Sequence, residues 1–204
     1  MLEKLRTNLQ EGADKLAAIT GDPGPFTNQA AVLVALTDND SDPHILLTKR
    51  AEHLSTHSGE VSFPGGKWDP EDDHLLATAL RESHEEIGLR PERVEVLAPL
   101  KARRTGRGVK VTPFVGIVPE DIQLIPSPDE LDAVFSVPVS FLLRDQRVRT
   151  DLYRLQDREF WAPAYHFDGF EIWGFTAGVL VTFLNQVYQA GIEVDNPAPV
   201  RVFG

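Results

Sequence analysis

Between Arg81 and Leu89 the chain reads Arg-Glu-Ser-His-Glu-Glu-Ile-Gly-Leu, and this stretch restricts what can be built around it. On an α-helix Glu82 lies one turn before both Glu85 (i+3) and Glu86 (i+4), so three carboxylates share one face. Arg81 stands one turn before Glu85 and can hold it by a charge-assisted pair. Leu76, Ala79, Leu80, Ser83 and Ile87 supply a second face that can pack inward. The spacing predicts a helix over about His74–Ile87, with Asp72 or Asp73 as its cap and Gly88 as its left-handed stop.

Three neighbouring carboxylates repel one another. At an effective dielectric near 20, a pair ~5 Å apart costs roughly 3 kcal/mol before screening. Protonation, pairing or bound cations relieve this. The surroundings sharpen the problem: from Asp69 to Glu86 there are seven carboxylates and one arginine, in a chain of net charge −11. Hard oxygen ligands suit Mg²⁺ or Mn²⁺. Such ions would bridge the phosphates of an anionic substrate and let it approach. The plain alternative for a charge run is a solvated helix face.

Composition excludes several other chemistries. With no cysteine among 204 residues there is no disulfide, thiol nucleophile or thiolate metal site. The first residues are charged throughout and lack the apolar centre of a secretory signal. The most apolar run, Ile172–Leu184, is thirteen residues long and broken by Gly174 and Gly178, too short for a bilayer span. A soluble, cytoplasmic protein is expected, and its acidity speaks against nucleic acid and membrane partners.

Strand and helix signals alternate along the chain. Residues 2–19 carry apolar positions at helical spacing, and a breaker-rich linker follows at 21–28. Ala30–Leu36 reads as a buried strand and His44–Lys49 as its hairpin partner across a turn at 38–43. Val94–Pro99, Val109–Val118 and Leu152–Arg154 read as strands, Ser140–Leu143 as a short helix, and Ile172–Ala190 as a long helix stopped by Gly191. This interleaving predicts an α/β layered domain. The expected division is an N-terminal helical extension and linker at 1–25 and one domain at 26–204.

Residues Arg81–Leu89 resemble the second half of the Nudix box, Arg-Glu-apolar-x-Glu-Glu-x-Gly-apolar, with Ser83 in the apolar slot. The first half departs from it. Asp72 stands six residues after Gly66 where the family has Glu, and eight residues rather than seven separate it from Arg81. Counting back from Arg81 gives Asp73 and Lys67 instead, and neither aspartate is assigned a role. Upstream, Leu46-Leu47-Thr48-Lys49-Arg50-Ala51, Gly59 and Phe63-Pro64-Gly65-Gly66 are similar to the motif of the coenzyme A pyrophosphatase branch. Ser55 stands where that motif has Arg. Val111-Thr112-Pro113, Ser136–Leu142 and Ile172–Ala177 continue the likeness, which covers roughly residues 28–185.

The resemblance implies a Nudix-type α/β/α sandwich with a mixed sheet, Mg²⁺ or Mn²⁺ dependence, and attack of water on a diphosphate. It implies Glu82 and Glu86 as principal metal ligands, and Glu85 as a third carboxylate, ligand or proton acceptor, supported by Arg81. Gly65 and Gly66 would bring backbone N–H groups to phosphate or metal, and Arg50 would contact phosphate. Glu130, in Pro-Asp-Glu-Leu, matches the distal-loop glutamate that serves many family members as base. The alternative for each is local: a tight turn for the glycines, a solvated carboxylate for Glu130.

Lys101, Arg103, Arg104, Arg107 and Lys110 place five cations in ten residues around two glycines. Arg104 and Arg107 on such a hairpin could clamp a coenzyme A 3′-phosphate, although a solvated turn has the same composition. His53 and His57 lack a third ligand at zinc spacing and read as loop or substrate-pocket residues. Trp161, Tyr165, Phe167, Phe170 and Trp173 read as core or interface, with stacking on an adenine as the alternative. Two functions of different class remain. One is a hydrolase of coenzyme A, or of another nucleoside diphosphate derivative such as ADP-ribose, NADH or a dinucleotide. The other is a non-catalytic nucleotide-sensing module. The intact set Glu82, Glu85, Glu86 and Arg81 favours the enzyme. A homodimer is compatible with everything above.

Overall fold

The computed structural model describes residues 1–10, 12–22, 24–155 and 158–203. Two helices, α1 (Leu2–Leu9) and α2 (Gly12–Thr20), precede β1 (Gln29–Thr37), β2 (His44–Arg50), β3 (Val61–Ser62) and β4 (Gly65–Lys67). Helix α3 (Leu75–Ile87) follows, then β5 (Glu95–Pro99), β6 (Arg103–Arg104), β7 (Lys110–Val118), β8 (Leu131–Pro138) and α4 (Val139–Leu143). The chain ends with β9 (Arg149–Leu155), β10 (Arg158–Phe167), β11 (Phe170–Ile172), α5 (Gly174–Tyr188) and β12 (Val200–Phe203).

The principal sheet is mixed. Strand β1 is central and pairs in parallel with β7 from Gln29↔Lys110 to Thr37↔Val118, and antiparallel with β2 and β4. Because β1 is covered on both faces, it reads as a continuous apolar run. Its alternation sorts two cores. Ala31, Leu33 and Ala35 face α3 together with Leu75, Ala79, Ile87 and Phe114. Val34 and Leu36 face α5 together with Val115, Leu180, Phe183 and Leu184. Leu2, Leu5 and Leu9 of α1 join the second core, and Leu16 and Ile19 of α2 pack on the first. The result is an α/β/α sandwich of the Nudix type. Among the described residues no helix is long and apolar enough to cross a membrane.

A second sheet, ordered β11-β10-β9-β12, was not foreseen beyond the short segment Leu152–Arg154. The aromatic stretch builds it: Tyr165 is fully buried, and Phe170 stacks on Phe135 at 3.8 Å, tying this sheet to β8. Ile172 belongs to β11, so the last helix begins at Gly174. It ends at Tyr188, with Gln189 rather than Gly191 taking the left-handed position directly after it. At the start of α3, the cap expected from Asp72 or Asp73 comes from His74, whose Nδ1 accepts the Ala77 amide at 3.0 Å. Gly88 closes the helix with φ +68°, as expected.

Phe183 is fully buried among residues of both sheets and α5. Phe183→Ala is expected to cost about 3–5 kcal/mol, read as a lower urea midpoint at unchanged slope. A loss under about 1 kcal/mol would mean that the layers do not share this core.

Candidate active site

Asp72 is buried, and its carboxylate organises the start of the site. Oδ1 accepts from Arg81 Nε at 2.9 Å, while Oδ2 accepts from Arg81 Nη2 at 2.9 Å, Thr78 Oγ1 at 2.8 Å and the Asp69 amide at 3.1 Å. Burial alone would raise its pKa, but the hydrogen bonds from Arg81, Asp69 and Thr78 hold it below the usual carboxylate value. The forked pairing leaves Arg81 one nitrogen to spend on α3: Nη1 donates to Glu82 Oε1 at 3.1 Å and to Glu85 Oε2 at 3.0 Å. Nη2 also reaches the Lys67 carbonyl at 3.3 Å. The hydrogen bond to Asp72, with the neighbouring acids, raises the Arg81 pKa far above its ordinary value.

Asp72 was passed over in the sequence, yet the signal was present: it occupies the slot six residues after Gly66. Ser83, in an apolar slot, is fully buried because its hydroxyl donates to the Ala79 carbonyl at 2.6 Å.

Glu86 points inward and is 3% exposed. Its Oε2 accepts the Gly65 amide at 3.0 Å, and Oε1 lies 3.9 Å from Arg50 Nη1. This amends the expectation of a Gly65 amide open to phosphate: that amide orients Glu86. Gly65 has φ +141°, and a Cβ there would sit 2.3 Å from the Ala31 carbonyl oxygen, so only glycine fits. At Gly66 a Cβ would fall 2.3–2.5 Å from the carboxyl atoms of Glu82, so the missing side chain is what lets Glu82 lie against β4.

Glu130 lies in the turn before β8, where its carbonyl accepts the Ala51 amide at 2.8 Å. The segment leading to it is stitched to the end of α3 by Ile125 N–H to the Ile87 carbonyl (2.9 Å) and Ser127 N–H to the Glu86 carbonyl (2.8 Å). Glu130 is exposed, but its charge is felt at both inner carboxylates. Burial, with repulsion from Glu82 and Glu130 opposing the Gly65 hydrogen bond, pushes Glu86 up to about 7. Burial also raises Glu82, with Glu85 and Glu130 adding to it against Arg81.

The structure thus brings Arg50, Gly65, Gly66, Arg81, Glu82, Glu85, Glu86 and Glu130 to one end of the principal sheet. Among the described residues no three acidic or imidazole side chains converge as a ready metal cage, because Glu82 and Glu85 are drawn onto Arg81. The donor set still fits a hard divalent cation. It is all carboxylate oxygen, and its inner members are desolvated against like charge, which a cation relieves.

The cationic hairpin stands at the same end. Lys110 and Val111 pair with Gln29 and Ala30, and Ala30 and Ala31 pair with Lys67 and Gly66. Two strand spacings therefore separate β7 from β4, about 10 Å. Arg104 stands directly opposite Lys110, an arrangement of like charges that is unfavourable by itself. Arg104 Nη1 donates to the Gly108 carbonyl at 2.9 Å, and Arg107 is exposed at the tip. Lys49 is taken up by Glu52 and Asp132. The histidines serve the loop, as expected: His53 Nε2 pairs with the Asp129 carbonyl and His57 Nδ1 with Glu60. Of the aromatic candidates for stacking on a base, Tyr165 donates to Asp145 and Trp161 lies under Arg147, so both belong to the second sheet's packing.

Comparison with known proteins agrees with this geometry. The family model described as NUDIX domain matches residues 27–157. An Enterobacter sp. (strain 638) protein described as uncharacterized Nudix hydrolase NudL is 43% identical over 154 residues, 74% of this chain and 79% of its own length. Nudix hydrolase 15, mitochondrial, of Arabidopsis thaliana is 37% identical over 189 residues, 86% of this chain, and the chain spans 65% of that relative. A crystal structure of a MutT/nudix family protein from Enterococcus faecalis aligns with TM-score 0.50 at 19% identity, over 87% of this chain and 69% of that one.

Removing Asp72 leaves Arg81 without its forked partner and Thr78 without an acceptor. Asp72→Ala is expected to destabilise the fold by about 3 kcal/mol, measured by chemical denaturation. A change within about 0.5 kcal/mol would show that Arg81 is held by Glu82 and Glu85 alone.

Proposed function

The chain belongs to the NUDIX domain family and is an enzyme of the hydrolase class, and from that premise we propose that it cleaves the diphosphate bond of coenzyme A or a derivative. The products are a 4′-phosphopantetheine-type phosphate and 3′,5′-ADP. One observation carries this proposal: the desolvated carboxylates Glu82 and Glu86 lie against β4, and a like-charged pair that calls for an anion, Lys110 and Arg104, stands two and three strand spacings from β4, on β7 and β6, roughly 10–14 Å away. A diphosphate at the first and a phosphomonoester at the second describe coenzyme A. The run from Leu46 to Gly66, similar to the coenzyme A branch, supports the same substrate. Another nucleoside diphosphate derivative fits the carboxylates equally but leaves the hairpin cations without a partner.

Enzymes of this family generally use divalent cations. Glu82 and Glu86 would hold Mg²⁺ or Mn²⁺ here, with Glu85 as the third carboxylate. When bound, the cation neutralises diphosphate charge and makes water a better nucleophile. The chain's own groups do the rest. The Gly65 amide aims the Glu86 carboxylate, Arg81 restrains Glu82 and Glu85, and Arg50 meets a phosphate oxygen. A carboxylate oxygen of Glu130 accepts the proton of the attacking water. Its exposure leaves it open to the attacking water. Arg104 and Arg107 clamp the 3′-phosphate.

Coenzyme A, ADP-ribose, NADH and 8-oxo-dGTP should be incubated separately with Mg²⁺, Mn²⁺ or chelator, and the products separated by chromatography. Coenzyme A is expected to be cleaved fastest, with chelator abolishing turnover; faster cleavage of another member would overturn the substrate. Glu86→Gln keeps the shape and removes the charge. It is expected to lower kcat at least 100-fold, a loss of about 2.7 kcal/mol in transition-state stabilisation, with the melting temperature nearly unchanged. Near-normal turnover at saturating Mg²⁺ would remove Glu86 from the ligand set.

A further inference from the structure

Arg103 differs from the other cations of its hairpin. It pairs across strands with Val111, and the alternation turns its side chain to the α5 face, whereas Arg104 and Lys110 point to the α3 face. Its guanidinium lies against the second turn of α5, where Nη1 donates to the Gly178 carbonyl at 3.2 Å and to Thr182 Oγ1 at 2.8 Å. Gly178 makes this approach available. A Cβ there would stand 3.1 Å from Arg103 Nη2 and 3.5 Å from Cζ. Gly178 is not in a positive-φ conformation, so its backbone does not need glycine; a methyl there would instead press the guanidinium out by a few tenths of an ångström.

The electrostatics of this arginine are unbalanced. It is half-buried, and burial lowers its pKa with no compensating acid. Among the described residues no carboxylate comes within ion-pair distance of it, although acids outnumber bases by eleven in this chain. Its hydrogen bonds to α5 use one nitrogen only. Among the described residues Nε and Nη2 bond to no protein acceptor, and they are not sealed from solvent. A partly desolvated cation with two donors in a fixed fork matches a tetrahedral oxyanion.

We propose that Arg103, seated on α5 through Gly178, is the fixed cation of a phosphate-binding subsite on the α5 face. The subsite stands whichever diphosphate the enzyme cleaves. Its phosphate comes either from a phosphomonoester on the substrate or from free phosphate acting as an effector.

Calorimetric titration of the full chain with 3′,5′-ADP, 5′-AMP and inorganic phosphate, in chelator, tests the subsite. Wild type is compared with Arg103→Gln and Gly178→Ala. Both variants are expected to weaken 3′,5′-ADP binding about tenfold or more, the range of a lost charge-assisted hydrogen bond. Gly178→Ala keeps the arginine and suits the helix backbone; the melting curve of each variant checks its folding, and Gly178→Ala carries the test if Arg103→Gln fails to fold. A loss confined to 3′,5′-ADP assigns the site to the substrate's 3′-phosphate and puts Arg103 in place of Arg104 and Arg107 as its clamp. Equal losses for all three probes assign it to free phosphate. If neither variant weakens any probe, or no probe binds wild type, the proposal falls and Arg103 only ties β6 to α5. The substrate panel reads out separately, so coenzyme A cleavage with an unaltered 3′,5′-ADP affinity would sink this subsite alone.

Discussion

Arg81 and Asp72 meet through two parallel hydrogen bonds, and the carboxylates of α3 can share a face because of that contact. A guanidinium free to move would settle on whichever glutamate was nearest. Held from behind by Asp72, Arg81 offers Nη1 alone, and that nitrogen is divided between Glu82 and Glu85. Glu86 receives none of it. It depends instead on the Gly65 amide and on the longer 3.9 Å approach of Arg50. Charge on the helix is therefore deliberately under-compensated: enough to fold, too little to leave the site indifferent to cations. The pairing is buried on the Asp72 side and open on the glutamate side, so it stays strong where it supports and weaker where a ligand must compete.

The principal sheet distributes these tasks by its two-residue period. Along the row Lys67, Ala30, Val111 and Arg103, side chains turn to the α5 face; along Gly66, Ala31 and Thr112, they turn to the α3 face. One row brings Glu82 against a glycine, and the next brings Arg103 against another glycine on the opposite helix. A one-residue slip of β6 against β7 would exchange the faces of Arg103 and Arg104. The hairpin is guarded against it by the Thr105 amide bound to the Val109 carbonyl at 2.9 Å.

Much of this could be read in the sequence where a single period dominates. The apolar run of β1, the hairpin with β2 and the amphipathic α3 all follow from local spacing, and so does the convergence of Glu82, Glu85 and Glu86. Contacts that span a turn were hidden. Asp72 and Arg81 lie nine residues apart across a helix start, and nothing in local spacing pairs them. The Gly65 amide looked available because its acceptor, Glu86, sits on another element. The second sheet escaped because charged and aromatic residues alternate there, with Pro163 in β10. Its apolar side chains are shared among α4, α5 and β8, so no single local period announces them. Ile172 and Trp173 looked helical by hydropathy alone, yet Ile172 pairs with Tyr165 in the second sheet.

The stitches at Ile125 and Ser127 have a consequence for how such chains diverge. They fasten the approach to Glu130 directly onto the last carbonyls of α3, so the position of that glutamate is measured from the helix and not from β7. The stretch between Val118 and Ile125 is then a tether that rests Ile122 and Leu124 on the α3-side core. Closing a longer tether costs little, since the entropy grows only with the logarithm of its length. Insertions and deletions there can accumulate without moving Glu130 relative to Glu86. Sequence alignments across that stretch will be ragged, while the glutamate beyond it stays in register in space.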